Sequence, residues 1–374
     1  MSDVYSKQPK SIPSLDGIRA IAVLLVVLGH SGLEGLVPGG LGVTIFFFLS
    51  GYLISTLMLA ENERTGGINI PKFYARRMLR LMPPLFISLA VAYGLTYAGL
   101  LYGSITKAGL ASQLLYFANY YGLFFDPGNT IPDGTGILWS LAVEEHFYIV
   151  YPLSMTLLLG ASLRPRTIGT LLGIVCLVVL AWRIYLVHSP GFLPERTYYA
   201  SDTRIDSIIY GCILAIVMNP VRQLHRSDTM SLAQWAVLAA AVATLLLTLL
   251  YRDPAFRETF RYSIQGLALM PLFYFAVRFS DNQLFRNLNS PWATRLGIYS
   301  YSIYLIHHVV IRLLAKNASA IAAKPFIVFP AVLLISIAYA AVIDRFVDRY
   351  FRQLRRKYES GVAKPAAFCQ RLKR

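Results

Sequence analysis

Long apolar runs dominate the chain, separated by short segments rich in Lys, Arg, Gly and Pro. Ten runs approach the roughly 20 apolar residues that a bilayer-crossing helix needs. The pattern predicts spans over 15–36, 41–60, 79–100, 142–160, 167–188, 203–219, 231–250, 262–280, 297–316 and 326–346. The stretch 107–123 (KAGLASQLLYFANYYGL) is apolar and aromatic but interrupted, and reads as an interfacial or re-entrant helix. The predicted fold class is all-α: a polytopic transmembrane helix bundle of about ten spans.

Composition strengthens this reading. Of 374 residues, 56% are hydrophobic and 14% charged, with a mean hydropathy of +0.53. A soluble chain carries about a quarter charged residues. So much apolar surface exceeds what a soluble core of this size hides, and the excess must face lipid. Cys176, Cys212 and Cys369 are too few and too scattered for a disulfide framework or a metal site. The first apolar run is followed by further spans and has no small-residue cleavage site, so it reads as a retained anchor.

Net charge is +16, but its distribution argues against a nucleic-acid partner, because the basic residues sit between apolar runs. With the N-terminus in the cytoplasm, Lys and Arg gather up to Arg19, in 61–80, 161–167, 220–231 and 278–296, and from Arg345 onward. Only Lys107, Arg183, Arg196, Arg204, Arg252, Arg257, Arg261, Arg312, Lys316 and Lys324 lie in spans or on the far side. That is the positive-inside bias. A full crossing by 107–123 would invert every later loop and break it. Both termini are therefore predicted to be cytoplasmic. Residues 1–350 read as one transmembrane domain, and 351–374 as a basic cytoplasmic tail that touches anionic membrane lipid.

Ionisable residues inside a membrane are costly and are candidates for function. Arg19 and His30 are eleven residues apart on the first predicted helix, hence on one face about 16 Å apart. Asp16 stands one turn before Arg19. His30 falls in the outer half of the membrane, or else is a buried histidine bonding a neighbouring helix. In GGLGVTIFFFLSGYLI, Gly39, Gly40, Gly42 and Gly51 permit close helix approach, and Ser50 is a packing contact or a catalytic serine, although the motif is not the strained strand-to-helix elbow of a serine hydrolase. Arg76, Arg77 and Arg80 lie in a predicted cytoplasmic loop, PKFYARRMLRLMPP; paired guanidinium groups suit phosphate, and equally an inner-face anchor. Glu144, Glu145 and His146 open the fourth span at the outer surface, where a carboxylate near an imidazole suits general-base chemistry. No HExxH zinc motif is present there, and no metal site is expected. Arg204 and Asp206 start the sixth span, and His307 and His308 sit in the ninth beside Tyr301 and Tyr304. Clusters on several separate helices suggest a polar cavity.

Together these segments resemble the membrane-bound acyltransferase family 3, bacterial O-acyltransferases of surface or secreted carbohydrates. The resemblance runs from Leu15 to about Asp348. It is carried by Arg19 and His30 with ten residues between them; by Phe47-Phe48-Leu49-Ser50-Gly51-Tyr52-Leu53-Ile54; by Arg77, Arg80 and Pro83; by Trp139 to Tyr148 with Glu144; by Arg204, Asp206 and Gly211; and by Ser300, Tyr301, Tyr304, Leu305 and His307. His146 departs mildly from the family's usual Gln.

The resemblance implies an O-acyltransferase, most simply an O-acetyltransferase, in the bacterial cytoplasmic (inner) membrane. The donor would be acyl-CoA, usually acetyl-CoA, with no permanently bound cofactor. The acceptor would be a hydroxyl of a carbohydrate or glycolipid at the outer face. His30, Glu144 and Arg19 become the catalytic candidates, and Arg77, Arg80 and Arg76 the donor-phosphate candidates. Asp16, Ser50, Glu145, Arg204, Asp206, Tyr301 and His307 become the substrate-binding candidates. His30 would act as general base or carry the acyl group, with Glu144 orienting it. The motifs leave open the acceptor (O-antigen, exopolysaccharide, lipo-oligosaccharide, peptidoglycan or a small glycoside) and assign no oligomeric state. The rival reading is an exporter of a sugar or glycolipid, against which no inverted repeat is visible.

Overall fold

The computed structural model describes residues 12–33, 35–126, 128–223, 229–356 and 358. Among these residues the chain is all-helical, with no strand. The helices are α1 Leu15–Leu28, α2 Gly39–Thr65, α3 Ile70–Tyr97, α4 Lys107–Leu114, α5 Ala118–Phe124, α6 Trp139–Gly160, α7 Pro165–Val187 and α8 Pro194–Tyr199. They continue as α9 Ser201–Val217, α10 Leu232–Leu250, α11 Pro254–Glu258, α12 Phe260–Arg278, α13 Pro291–Asn317, α14 Ser319–Ala322, α15 Pro325–Ile343 and α16 Arg349–Arg356.

Each apolar run coincides with a helix, but only seven helical stretches among the described residues are long and apolar enough to cross a membrane. These are Leu15–Leu33, Gly39–Thr65, Ile70–Tyr97, Pro165–Val187, Leu232–Leu250, Pro291–Asn317 and Pro325–Arg355. The other three are α6, which carries Glu144, Glu145 and His146, the 17-residue α9, and α12. Ten was thus the number of apolar runs; seven is the number that meet the spanning criterion.

The predicted loop before the third span is also helical. α3 begins at Ile70, where the Asn69 side chain caps Lys72 N–H and Pro71 fits the first turn, and it runs through Pro83 and Pro84. Arg76, Arg77 and Arg80 therefore ride on a rigid arm that enters the bundle.

Helix α2 is the hub, packing against α1, α6, α9 and α12. Its crossing with α9 is set by two glycines. A Cβ on Gly51 would strike the Ile208 carbonyl, and one on Gly211 the Phe48 carbonyl. Each glycine removes the atom that would hold the backbones apart. The segment 107–123 is two short helices, α4 and α5, broken around Tyr116, whose φ is 55°. The chain then folds back so that Gly134 (φ 87°) lies on the backbone of His308 and Val309. A Cβ at Gly134 would come within 2.7 Å of Val309 Cα.

Candidate active site

His30 sits where α1 ends in a π turn, Gly29–Leu33, closed by Gly32 at φ 85°. Such turns redirect a helical side chain and recur at functional sites. Its ring is exposed, and its Nδ1 lies 2.9 Å from Nε2 of His307 on α13. The two rings are nearly parallel, with centroids 5.2 Å apart. His307 is fully buried, and its Nδ1 is 2.7 Å from the Tyr304 carbonyl. The ring of His308 also stacks on His30, at 4.9 Å.

A second centre lies deeper. Ser50 donates to Glu144 Oε2 at 3.1 Å and shares a hydrogen bond with the Tyr148 hydroxyl. Arg77 donates from Nε to Glu145 Oε1 at 2.9 Å, and its Nη2 is 3.6 Å from Glu144 Oε2. Its guanidinium lies over the Tyr148 ring, 3.1 Å from the centroid. Pro152 lacks the N–H that would bond the Tyr148 carbonyl, and the Tyr74 hydroxyl supplies a donor to it instead at 3.1 Å. The groups come from α2, α3 and α6. Ser50 is eleven residues into α2, about 16 Å along its axis. The expectation that Arg77 and the Glu144–Glu145 pair stand at opposite faces is therefore not met. They touch in the middle of the bundle, because α3 is helical from Ile70 and α6 starts beside Phe47, with Trp139 edge-on to that ring at 6.0 Å.

The two centres are joined along α6. Ser140, Glu144 and Tyr148 fall at i, i+4 and i+8 on one stripe. The Ser140 hydroxyl is 2.6 Å from the Tyr304 hydroxyl, which also donates to the Ile137 carbonyl at 3.1 Å. A polar track thus runs from His30 through His307 and Tyr304 to Ser140, and resumes one turn further along α6 at Glu144, Ser50 and Arg77.

The remaining candidates are distributed around this track. Arg19 pairs with Asp16 at 2.7 Å. Arg76 is held by Glu61 at 3.0 Å. Arg80 is exposed and makes no ion pair or hydrogen bond among the described residues. The Tyr301 hydroxyl donates to the Leu81 carbonyl, tying α13 to α3. His146 lies 2.7 Å from the Ser201 hydroxyl and stacks on Tyr120. Arg204 is fully buried in an aromatic cage, 3.9 Å from the Tyr262 centroid and within 6 Å of Phe47, Trp139 and Tyr198. Asp206 is also fully buried, bound by Arg183 Nη2 at 2.7 Å and by the Ser263 hydroxyl at 3.0 Å.

The sequence reading did not single out Tyr148, Ser140 or Arg183. The first two carried a signal, the i, i+4, i+8 spacing about Glu144. Arg183 carried none beyond being a charge inside an apolar run. Among the described residues no group of His, Cys, Asp and Glu is placed to hold a metal ion.

The sequence profile of a family described as "Acyltransferase domain" matches residues 12–345. The chain is also similar to the O-acetyltransferase OatA of Staphylococcus aureus strain NCTC 8325, with 29% identity over 365 residues. The OatA of strain MRSA252 gives the same identity. The alignments cover 94% of this chain but 59% of those relatives, so the chain spans well under two thirds of their length. No solved structure matches the chain.

Proposed function

This chain belongs to the acyltransferase domain family, and from that premise we propose a membrane O-acyltransferase, most simply an O-acetyltransferase (EC 2.3.1.-). It moves an acyl group from cytoplasmic acyl-CoA to a carbohydrate hydroxyl at the outer face of the bacterial inner membrane. The proposed topology keeps ten crossings and both termini in the cytoplasm, with α6, α9 and α12 crossing alongside the seven apolar stretches. Charge distribution along the chain supports it, since under this topology most basic segments fall on the cytoplasmic side.

The observation that carries this reading is the polar track linking an exposed His30 to the Ser50–Glu144–Arg77 centre. A scaffold has no need of ionisable groups from four helices converging in an apolar bundle. In the proposed reaction His30 takes the proton of the acceptor hydroxyl as that oxygen attacks the thioester carbon. The hydroxyls of Ser50 and Tyr148 and the Arg77 guanidinium then lie where a thioester passes from the inner face toward His30. Glu144 and Glu145 hold Arg77 in place, and Arg77 in return makes the carboxylate pair tolerable.

Donor phosphates are assigned to Arg80, with Arg19 beside it. Arg80 is the unengaged guanidinium of its trio, since Arg76 and Arg77 are already bound to carboxylates. Arg204, fully buried in its aromatic cage, is assigned to the acceptor side as the residue that holds Trp139, Tyr198 and Tyr262 in place there. Asp206, two residues beyond Arg204 on α9, clasps α7, α9 and α12 together.

Inside-out membrane vesicles given labelled acetyl-CoA test the reading. Donor consumption that vanishes in His30→Ala at unchanged protein level fits an acyltransferase. An exporter would consume no donor in either.

A further inference from the structure

The His30–His307 contact constrains where the protons sit. The Tyr304 carbonyl can only accept, so His307 must carry its proton on Nδ1. A neutral imidazole has one N–H, which leaves His307 Nε2 as a lone pair. A second proton there would make a buried cation beside two other imidazoles, which is costly without a counter-charge. The 2.9 Å contact then requires His30 Nδ1 to donate. Neutral His30 then carries its proton on Nδ1 and a lone pair on Nε2, the form that a free histidine side chain favours less.

We propose that His307 is a positioning residue that selects this tautomer of His30, so that Nε2 is the atom which takes the acceptor proton. The proposal rests on the reading of His30 as the base. The hydroxyl O–H bond breaks as Nε2–H forms, and the oxygen attacks the thioester carbon. The C–S bond then breaks, and the Nε2 proton passes to the departing thiolate to give the free thiol and the ester. Throughout, the Nδ1–H bond to His307 is kept and strengthens while His30 is charged, because the donor is then ionised. His307 does this from a fully buried position, so it acts through His30 and does not touch the substrate. Gly134 on the backbone at His308 and Val309 fixes the α13 turn that carries it.

The test uses the full chain in lipid nanodiscs with 15N-labelled histidine, His30 being assigned by its loss in His30→Ala. The expected His30 signals are a protonated Nδ1 and an unprotonated Nε2. In His307→Phe the pattern should reverse, and kcat should fall by about 10²-fold, the low end of general-base contributions, with KM for acetyl-CoA unchanged. His307→Gln, whose amide oxygen can accept from Nδ1, should recover part of kcat. A protonated Nε2 on His30 in the wild-type protein would overturn the proposal, as would unchanged kcat in His307→Phe. Should His307→Phe not fold, the wild-type spectrum and His307→Gln still decide it. The spectrum is independent of turnover: the predicted tautomer together with a fully active His30→Ala would sink the catalytic reading and leave the tautomer selection standing.

Discussion

Arg77 Nε donates to Glu145 Oε1 at 2.9 Å, bonding α3 to α6 in the middle of the bundle, between residues 68 apart in sequence. The contact gathers a cation, two carboxylates and a tyrosine ring where lipid surrounds the bundle. Removing one partner leaves the others exposed to each other. Arg77→Ala should destabilise the protein by about 3 kcal/mol, as expected for breaking a largely buried ion pair. Thermal unfolding in detergent measures this. Adding Glu145→Gln to Arg77→Ala should recover part of the loss; no recovery would mean that the carboxylate pair is not what Arg77 compensates.

The three arginines of α3 should separate in kinetics. Arg80→Ala should raise KM for acetyl-CoA about tenfold, the loss of one charge-assisted contact, with kcat little changed. Arg76→Ala should leave KM alone, because Arg76 is bound to Glu61. Equal KM effects from both would count against the assignment of the donor phosphates to Arg80.

How far the sequence could be read follows from what fixes each feature. The apolar runs report burial in lipid directly, so each predicted span falls on a helix. The start of α3 was missed because the basic stretch 70–78 falls outside the apolar run, whereas the Asn69 cap carries the helix on from Ile70. That nine-residue difference decides whether Arg77 sits at the rim or reaches Glu145. His30 was legible as an ionisable residue in a predicted span, and Glu144 as one at the start of another. Their partners were not, since His307 and Arg77 are 277 and 67 residues away and only tertiary packing pairs them. The contact of Glu144 with Ser50 and Arg77 was likewise hidden, because only the packing of α6 against α2 and α3 makes it.

The Gly51–Gly211 crossing should tolerate no side chain. Gly211→Ala would place a methyl against the Phe48 carbonyl, and overpacking of this kind costs about 1–3 kcal/mol. A lower unfolding temperature and reduced yield are expected. An unaltered melting curve would show that α2 and α9 are not in that contact.

The buried clasp makes a further prediction. Arg183→Met should cost about 3–5 kcal/mol by stranding Asp206, while Arg183→Met with Asp206→Leu should recover much of it. Thermal unfolding of the two variants measures the difference. If the double variant regains stability but loses transfer, Asp206 has a part in the reaction beyond holding α7 and α9 together.

The central claim is that His30 takes the acceptor proton during acyl transfer. The most direct measurement is single-turnover acyl transfer from labelled acetyl-CoA by the purified protein in nanodiscs, comparing wild type with His30→Ala at equal folded amounts. The account predicts a burst of free CoA and acylated acceptor in the wild type, and no transfer in His30→Ala while donor binding persists. Transfer in His30→Ala at the wild-type rate would contradict it.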